Sequence, residues 1–403
     1  MADTDFLKEY EIISQEEIDE FKAAVELGDL TEAASKIMES LESMESAQLN
    51  IAITGESGSG KSSFVNAMRG LGDEEEESAK TGVDETTMEP TAYHHPQYPN
   101  ITLWDLPGIG TPNFQAHSYL EQVNFEQYDF FIIIASDRFK SNHVKLARDI
   151  QEMGKKFYFV RSKVDQDLIA SKERRPSTFD EGKILESIRR NCIENLKKEN
   201  VKSLQVFLLS SWKLAMYDFP LLQETLEAEL PKHKRHAFLL SLPNISSQVL
   251  KQKKEALQQN IWKLATVSCT IAAIPVPGLS VACDTAILVK ALRDYCKTFG
   301  LDEESLANLA KKVNKPIDTL KAAIKSPVAK EISANLVFKL LTKAVGGGLM
   351  AVGYFLSFVP VFGSVTAGGI SFGTTYYMLK SFLNDLEKDA QNVLCVALYE
   401  TEI

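Results

Sequence analysis

The chain is poor in cysteine, and its cysteines form no metal or redox motif. They are five in number, an odd count, and no C-x-x-C pair occurs among them. The sequence therefore indicates neither a disulfide framework nor a zinc ribbon, and it favours a reducing cytosol. We expect each cysteine to be a small core residue. They are Cys192, Cys269, Cys283, Cys296 and Cys395.

The chain also has fewer basic than acidic residues. The 44 Lys and Arg are outnumbered by 55 Asp and Glu, which gives a net charge of −11. This balance argues against nucleic acid as the main partner. The acidic start Met1–Asp5 predicts no signal peptide, and Ala2 predicts no N-myristoylation. With 403 residues, of which 44% are hydrophobic, the chain is expected to be globular and to form two or three domains.

A phosphate-binding loop is the strongest motif that the sequence contains. Gly55 to Ser62 reads G-x-x-x-x-G-K-S, between a predicted strand at Leu49–Thr54 and a predicted helix from Ser63. Glycines let the backbone N–H groups approach an anion, and the helix N-terminus adds a positive partial charge. Lys61 is expected to reach the outer phosphates, and Ser62 to hold Mg²⁺. The predicted phosphate ligands are Gly55, Glu56, Ser57, Gly58, Ser59, Gly60, Lys61, Ser62 and Ser63.

Apolar strands alternate with helical patterns from residue 49 to about residue 230. This alternation predicts an α/β fold with a mostly parallel sheet, and ligands in such sheets bind beyond the carboxyl ends of the strands. Asp105 ends one strand in the pattern D-x-x-G, where its carboxylate can support Mg²⁺ and the Gly108 N–H can meet a terminal phosphate. The predicted strands are Leu49–Thr54, Ile101–Asp105, Asp129–Ala135, Phe157–Arg161 and Gln205–Leu209, with a further candidate near Thr91–His95.

The polar stretch from Gly72 to Thr87 has two interpretations. It is either a mobile acidic loop or a switch segment that a terminal phosphate and Mg²⁺ order and then release. Because it lies between the two phosphate motifs, we favour the switch. Thr87 is the preferred second magnesium hydroxyl, with Thr86 and Thr81 as rivals.

A second set of strand ends predicts guanine recognition. Ser162-Lys163-Val164-Asp165 fits [NST]-K-x-D, in which the Asp165 carboxylate accepts hydrogen bonds from guanine and the Lys163 stem packs on the base plane. Ser162 stands where Asn or Thr is commoner, and we expect it to make one supporting hydrogen bond fewer. This motif disfavours an ATPase. Ser210, Ser211 and Trp212 follow the last strand and are predicted to contact the edge of the base.

With these residues the chain resembles the immunity-related GTPases, the interferon-inducible p47 family. The most specific stretches are Trp104–Gly110 and Tyr128–Ile134. Because it has Lys61, the chain resembles the members of the family that keep a lysine in the phosphate loop. The resemblance implies a GTPase domain over 48–230. It also implies that helices at 1–47 pack with an all-α domain at 231–403. GTP-dependent self-assembly on intracellular membranes, often those of pathogen-containing vacuoles, is implied as well, with GTP or GDP and Mg²⁺ as cofactors.

The catalytic group is not evident from the sequence. Many small GTPases place a water-orienting Gln after D-x-x-G, but here Ile109 occupies that position. Glu85 is a candidate because it matches the family's switch motif Thr-Gly-Val-x-Glu-x-Thr. Lys61 and Thr87 are the other two candidate catalytic residues. Arg138 is conceivable, although a surface arginine at a helix start is the simpler interpretation. We expect slow hydrolysis that accelerates with protein concentration. The alternative is a nucleotide-gated binding module with negligible turnover.

From Pro231 onward the sequence predicts helices interrupted by Pro and Gly. The segment Lys232–Lys263 carries seven basic residues against one acid, and is either an exposed helix face or an anionic-lipid surface. Leu264–Cys283 and Ala344–Leu379 have no charged residue, but Pro and Gly divide them. They are therefore either the core of the helical domain or hairpins whose tips enter a bilayer.

Overall fold

The chain divides into two units. A computed structural model describes residues 47–82, 89–109, 116–137, 140–198, 205–272, 279–347 and 367–399. Residues 48–245 form the first unit, and the residues from 246 onward belong to the second. The predicted packing of residues 1–46 with the C-terminal helices lies outside the described residues and stays a prediction.

A six-stranded sheet forms the centre of the first unit. Its strand order is β2-β3-β1-β4-β5-β6, in which β2 is antiparallel to β3 and the other neighbours are parallel. The predicted α/β class with a mostly parallel sheet is confirmed, and the segment near Thr91–His95 is a strand. The strands are β1 (Leu49–Gly55), β2 (Thr91–His94), β3 (Ile101–Asp105), β4 (Phe130–Ala135), β5 (Lys156–Arg161) and β6 (Val206–Leu208).

Continuous apolar sequence explains the central strands. Every residue of β4 is buried, as expected for a parallel strand that helices cover on both faces. α1 begins at Lys61, two residues before the predicted start, because Gly60 adopts a left-handed φ of 93° directly before the helix. The helices of this unit are α1 (Lys61–Met68), α2 (Ala116–Gln122), α3 (Ser141–Glu152), α4 (Val164–Arg174), α5 (Glu181–Lys198), α6 (Phe219–Glu229) and α7 (Lys232–Ser241).

Polar contacts attach α7 to the sheet. Lys234 Nζ lies 2.5 Å from Asp129 Oδ1, and Asp129 Oδ2 accepts from the Asn50 backbone N–H at 2.9 Å. The Asn50 side-chain oxygen in turn accepts from Trp104 Nε1 at 3.0 Å. These contacts explain why the first unit extends to Ile245, beyond the predicted end at residue 230.

The described part of the second unit is helical, in agreement with the predicted all-α domain. The long helices α8 and α14 pack along each other, and α9 packs against both. The helices are α8 (Ser247–Ala272), α9 (Leu279–Thr298), α10 (Glu303–Val313), α11 (Ile317–Ala322), α12 (Pro327–Lys330), α13 (Ala334–Gly347) and α14 (Ala367–Tyr399).

Hydroxyl groups surround a buried carboxylate where these three helices meet. Ser268 Oγ of α8 donates to Asp284 Oδ1 of α9 at 2.5 Å, and Ser371 Oγ of α14 donates to both Asp284 oxygens at 2.8 and 2.7 Å. Thr375 lies 3.0 Å from Ser268 Oγ. Burial raises the pKa of Asp284, and the two serine hydroxyls oppose that shift. The network therefore links three helices through one group whose burial needs these partners.

The lysines of the basic segment do not share one exposed face. Lys253 and Lys263 are buried, and Lys253 Nζ donates to the Thr298 carbonyl at 3.0 Å. Lys254 pairs with Glu387 at 3.3 Å, and Lys234 is held by Asp129. Burial and pairing thus remove four of the seven basic residues from a common exposed face, because charge counted along the sequence does not show which side of a helix is buried. The anionic-lipid surface stays a prediction for the remaining residues.

The two uncharged segments are helical wherever the structure describes them. Their predicted hairpin tips, at residues 274–278 and 359–363, lie outside the described residues. None of the described helices combines the length and apolar character that crossing a bilayer requires. Among the cysteines described, Cys192 and Cys296 are buried as expected, whereas Cys395 is exposed on α14 and is not a core residue.

Candidate functional site

The phosphate-binding loop joins β1 to α1 at the carboxyl edge of the sheet. Gly55 has a φ of 149°, and a Cβ added to it would lie 2.1 Å from the Ile134 backbone oxygen of β4. Only glycine fits such an approach, because the obstacle is main chain and cannot rotate away. The first glycine of the motif is thus required by the packing of the loop on β4.

Replacing Gly55 with alanine is expected to lower the free energy of unfolding by about 3 kcal/mol, through the clash and the strained φ. Gly58→Ala is the matched control. Gly58 also has a positive φ, of 74°, but nothing lies within 4 Å of its added Cβ, so we expect a loss of about 1 kcal/mol. Urea unfolding of both variants measures the difference. Equal losses would contradict the clash.

The loop is closed by its own contacts. The Ser59 backbone N–H donates to the Glu56 carbonyl at 3.2 Å, and Lys61 Nζ donates to the same oxygen at 3.2 Å. Lys61 is buried, with 7% of its surface exposed. A buried ammonium group at the start of a helix favours the binding of an anion there.

Two oxygen-bearing residues meet where a magnesium ion is predicted. Ser62 Oγ donates to Asp105 Oδ2 at 2.6 Å, and Asp105 is 1% exposed. In the described part of the chain no group of three His, Cys, Asp or Glu could hold a metal by itself. The pair fits Mg²⁺, which binds proteins through one or two oxygens and completes its shell with phosphate and water.

Ile109 is a core residue. Its side chain is fully buried, its backbone N–H donates to the Gly55 carbonyl at 3.2 Å, and its carbonyl accepts from Asn142 Nδ2 at 2.9 Å. It therefore has no contact with a reacting water, as the sequence indicates. The Tyr119 hydroxyl donates to the Pro107 carbonyl at 3.0 Å and fixes the preceding turn. Sequence reasoning missed Asn142 and Tyr119, because they lie on helices that follow the motif in the sequence and carry no motif of their own.

The first half of the predicted switch segment is anchored to α1. The Asn66 amide donates to Asp73 Oδ1 at 2.8 Å and accepts from the Ala79 backbone N–H at 2.6 Å. Arg69 Nη1 donates to the Glu77 carbonyl at 2.7 Å. These contacts tie residues 73–79 to α1. Thr81 is exposed, whereas Glu85, Thr86 and Thr87 lie outside the described residues.

The predicted guanine motif contacts the phosphate loop directly. Ser162 Oγ donates to the Ser59 carbonyl at 2.6 Å, and Lys163 Nζ donates to the Gly58 carbonyl at 2.8 Å. Lys163 has a left-handed φ of 58°, which turns its stem over the loop. The Ser162 hydroxyl therefore supports the phosphate loop directly, and the predicted loss relative to Asn or Thr stays a prediction.

Asp165 follows in the first turn of α4 and is 6% exposed. Its carboxylate accepts no hydrogen bond from any residue that the structure describes. Arg161, which sequence reasoning missed, donates to the Ser162 carbonyl and to Asp167 Oδ2, both at 2.5 Å. The backbone ahead of Asp165 is thus fixed while the carboxylate itself is available to a ligand.

The loop Ser210–Trp212, predicted to contact the edge of the base, follows β6, and Asp218 fixes the end of that strand. Ser210 is buried, Ser211 is partly exposed, and the Trp212 side chain is 72% exposed. Asp218 Oδ2 accepts from the Leu208 backbone N–H and from Arg189 Nη2, both at 2.7 Å. Sequence reasoning did not assign a role to Asp218, and the available signal for it is that the stretch 217–220 also resembles the immunity-related GTPases.

An ion pair closes the other side of the loop. Lys140 Nζ donates to Glu56 Oε2, and this carboxylate raises the pKa of Lys140. Sequence reasoning named Glu56 as a phosphate-loop residue but did not find its partner. Arg138 lies outside the described residues.

The arrangement brings three chemical environments to one edge of the sheet. The loop after β1 offers backbone N–H groups and the Lys61 ammonium, whereas Ser62 and Asp105 offer oxygens. The turn after β5 offers the buried Asp165 carboxylate, which accepts no hydrogen bond from the described residues. An anionic phosphate chain, a divalent cation and a base with paired N–H donors match these environments in turn. Together they can hold a nucleoside phosphate.

Comparison with known proteins gives consistent matches along the chain. Residues 14–396 match the family described as Interferon-inducible GTPase (IIGP). Interferon-inducible GTPase 5 of Bos taurus is 48% identical over 97% of this chain and 84% of its own length. Interferon-inducible GTPase 1 of Mus musculus is 40% identical over 95% and 91%. A solved bacterial dynamin pair aligns with 94% of this chain and 75% of its own, at 14% identity and a TM-score of 0.36.

Proposed function

We propose, on the premise that this chain belongs to the interferon-inducible GTPase family, that it binds guanine nucleotides with Mg²⁺ and hydrolyses GTP to GDP and phosphate. The observation that carries the proposal is the coupling of Ser162 and Lys163 to the phosphate loop, next to the available carboxylate of Asp165. This geometry fixes the residues predicted to bind the base relative to those predicted to bind the phosphates.

The residues divide the work of binding. Backbone N–H groups of residues 55–63 and the Lys61 ammonium stabilise the phosphate charge, and Gly108 is the further N–H donor proposed for the terminal phosphate. Ser62 and Asp105 would hold Mg²⁺ with Thr87 or Thr81, and the ion supplies neutralisation of phosphate charge. Lys163 covers the base, Asp165 accepts from its N–H groups, and Ser210, Ser211 and Trp212 line its edge.

The proposal requires a group other than Ile109 to orient the attacking water. Glu85 is our candidate by its match to the family's switch motif. We further propose that GTP-dependent self-association orders this segment. The assembled protein would act from the cytoplasm as a peripheral protein on intracellular membranes, such as those of pathogen-containing vacuoles, in cell-autonomous immunity. The family resemblance supports this assembly and membrane action.

GTP hydrolysis per molecule is expected to rise with protein concentration, because two protomers would order the catalytic segment. The measurement is phosphate release at several protein concentrations, with GTP and with ATP. Lys61→Ala should be inactive throughout, and Glu85→Gln should lose turnover while it still binds GTP.

Constant specific activity across the range would contradict the self-association step and leave Glu85 to act within one molecule. If GTP binds but no turnover occurs at any concentration, the nucleotide-gated binding module is the better description. The burial of Ile109 is the observation that favours this second candidate.

A further inference from the structure

The second unit contains a cavity of about 900 Å³ that the proposed function does not use. Residues of α9, α12 and the first turns of α10 and α13 line it. Sites for small ligands typically enclose about 300–1,000 Å³. The cavity is therefore large enough for a ligand, and its lining indicates which chemistry it accepts.

Four basic side chains line this cavity, and we therefore call the cavity the cationic groove. Lys290, Arg293 and Lys297 are spaced three and four residues apart, so they share one face of α9. Lys330 joins them from α12. All four are exposed, and none forms an ion pair with a residue in the described ranges. The Asp294 carboxylate of the same helix interacts with Lys290, Arg293 and Lys297 and offsets part of their charge, and a bound anion would offset the remainder.

The acidic residues of the lining do not cancel this charge. Glu303 Oε1 is paired with Lys321 Nζ at 2.5 Å, and Asp302 Oδ1 accepts from the Ser305 backbone N–H at 3.1 Å as the cap of α10. The four cations therefore face the carboxylates of Asp294 and Asp302, since accepting a hydrogen bond leaves the charge of Asp302 in place. The N-termini of α10 and α13 line the same cavity and add positive partial charge. The balance of the groove is positive in a chain whose net charge is −11.

We propose that the cationic groove binds a small ligand that carries two or more phosphate groups. Lys290 to Lys297 spans about 10 Å along the helix axis, since each residue rises about 1.5 Å. One phosphate cannot contact cations so far apart, whereas a ring that bears several phosphates can. Arg293 suits bidentate contact with phosphate oxygens, and the lysines act as point charges. Free inositol polyphosphates and phosphorylated lipid headgroups share this chemistry. The proposal does not rest on the nucleotide site.

The test uses the full chain and two probes. Calorimetric titration with inositol trisphosphate measures the free ligand. Sedimentation with vesicles containing phosphatidylinositol bisphosphate measures the lipid form, against phosphatidylserine vesicles of equal charge. Arg293→Ala/Lys297→Ala is expected to weaken binding about tenfold or more. Lys311→Ala/Lys388→Ala removes the same charge from exposed positions outside the groove and should change it less than about twofold.

Binding of the free trisphosphate supports a soluble ligand, and selective sedimentation with the phosphoinositide vesicles supports a headgroup. The proposal is overturned if neither probe binds, if phosphatidylserine vesicles bind equally well, or if both double variants lose the same affinity. Lys61→Ala is titrated in parallel. Loss of trisphosphate binding in that variant would place the ligand in the phosphate loop and would also overturn the proposal.

Discussion

Replacing Asp165 with asparagine is expected to move the base preference from guanine to xanthine. The carboxylate accepts from two N–H groups of guanine, whereas the amide offers a donor that the carbonyl of xanthine can accept. Sites built around such hydrogen bonds discriminate by large factors, because a mismatch leaves a buried polar group unpaired. Asp165 is 6% exposed. We therefore expect the ratio of GTP to XTP affinity to fall about 10²- to 10⁴-fold.

Nucleotide titrations of the wild type and the variant with GTP, XTP and ATP measure this shift. Glu173→Gln makes the same chemical change at an exposed position further along α4 and should leave the ratio unaltered. If Asp165→Asn loses all nucleotides equally, the residue supports the turn after β5 and does not read the base. Equal affinity for GTP and ATP in the wild type would contradict the guanine assignment itself.

Replacing Lys253 with methionine is expected to stabilise the second unit and to remove a pH dependence. Burial lowers the pKa of Lys253 from its ordinary 10.5 to about 7. Between these two pH values the unfolded chain binds a proton that the folded chain does not, so wild-type stability rises with pH over this range. Below about pH 7 both states are protonated and the burial penalty is fully present. The pKa difference corresponds to about 5 kcal/mol, of which the lost Thr298 hydrogen bond offsets about 1 kcal/mol.

Urea unfolding at several pH values between 7 and 10 measures this effect, and the variant's stability should vary less over that range. Lys254→Met is the matched control. The Lys254 amine is next to Lys253 in the sequence, but it is partly exposed and pairs with Glu387 at 3.3 Å. Breaking that pair leaves the buried Glu387 carboxylate without its cation, so a loss of stability is expected. Destabilisation by Lys253→Met would show that the buried amine contributes more through Thr298 than its burial costs.

Local motifs predicted the secondary structure around the phosphate loop well, because each motif is a short stretch whose geometry its own residues determine. The strand, loop and helix around Lys61 follow from apolar runs and glycine spacing. The contacts that hold this edge together were not predictable in the same way. Arg161 with Asp167, and Arg189 with Asp218, join elements whose proximity only the folded chain reveals.

The helical part shows the opposite case. Composition correctly indicated helices after Pro231, but it could not place their charged residues. Lys253 is buried and donates to Thr298, across 45 positions, whereas Lys290 and Arg293 line a cavity. A lysine has a long apolar stem, so its letter in the sequence is compatible with either environment. Only the packing of helices against each other decides between the two.

The attachment of α7 determines where the two halves of this protein can be separated for independent expression. A fragment that ends at Leu230 would lack Lys234 and leave the Asp129 carboxylate, beneath the central strand, without its cation. It would also lack the contacts that α7 makes with β1 and β3. A fragment that continues to Ile245 keeps both contacts, and its expression as a soluble domain is the practical consequence of one lysine on a connecting helix.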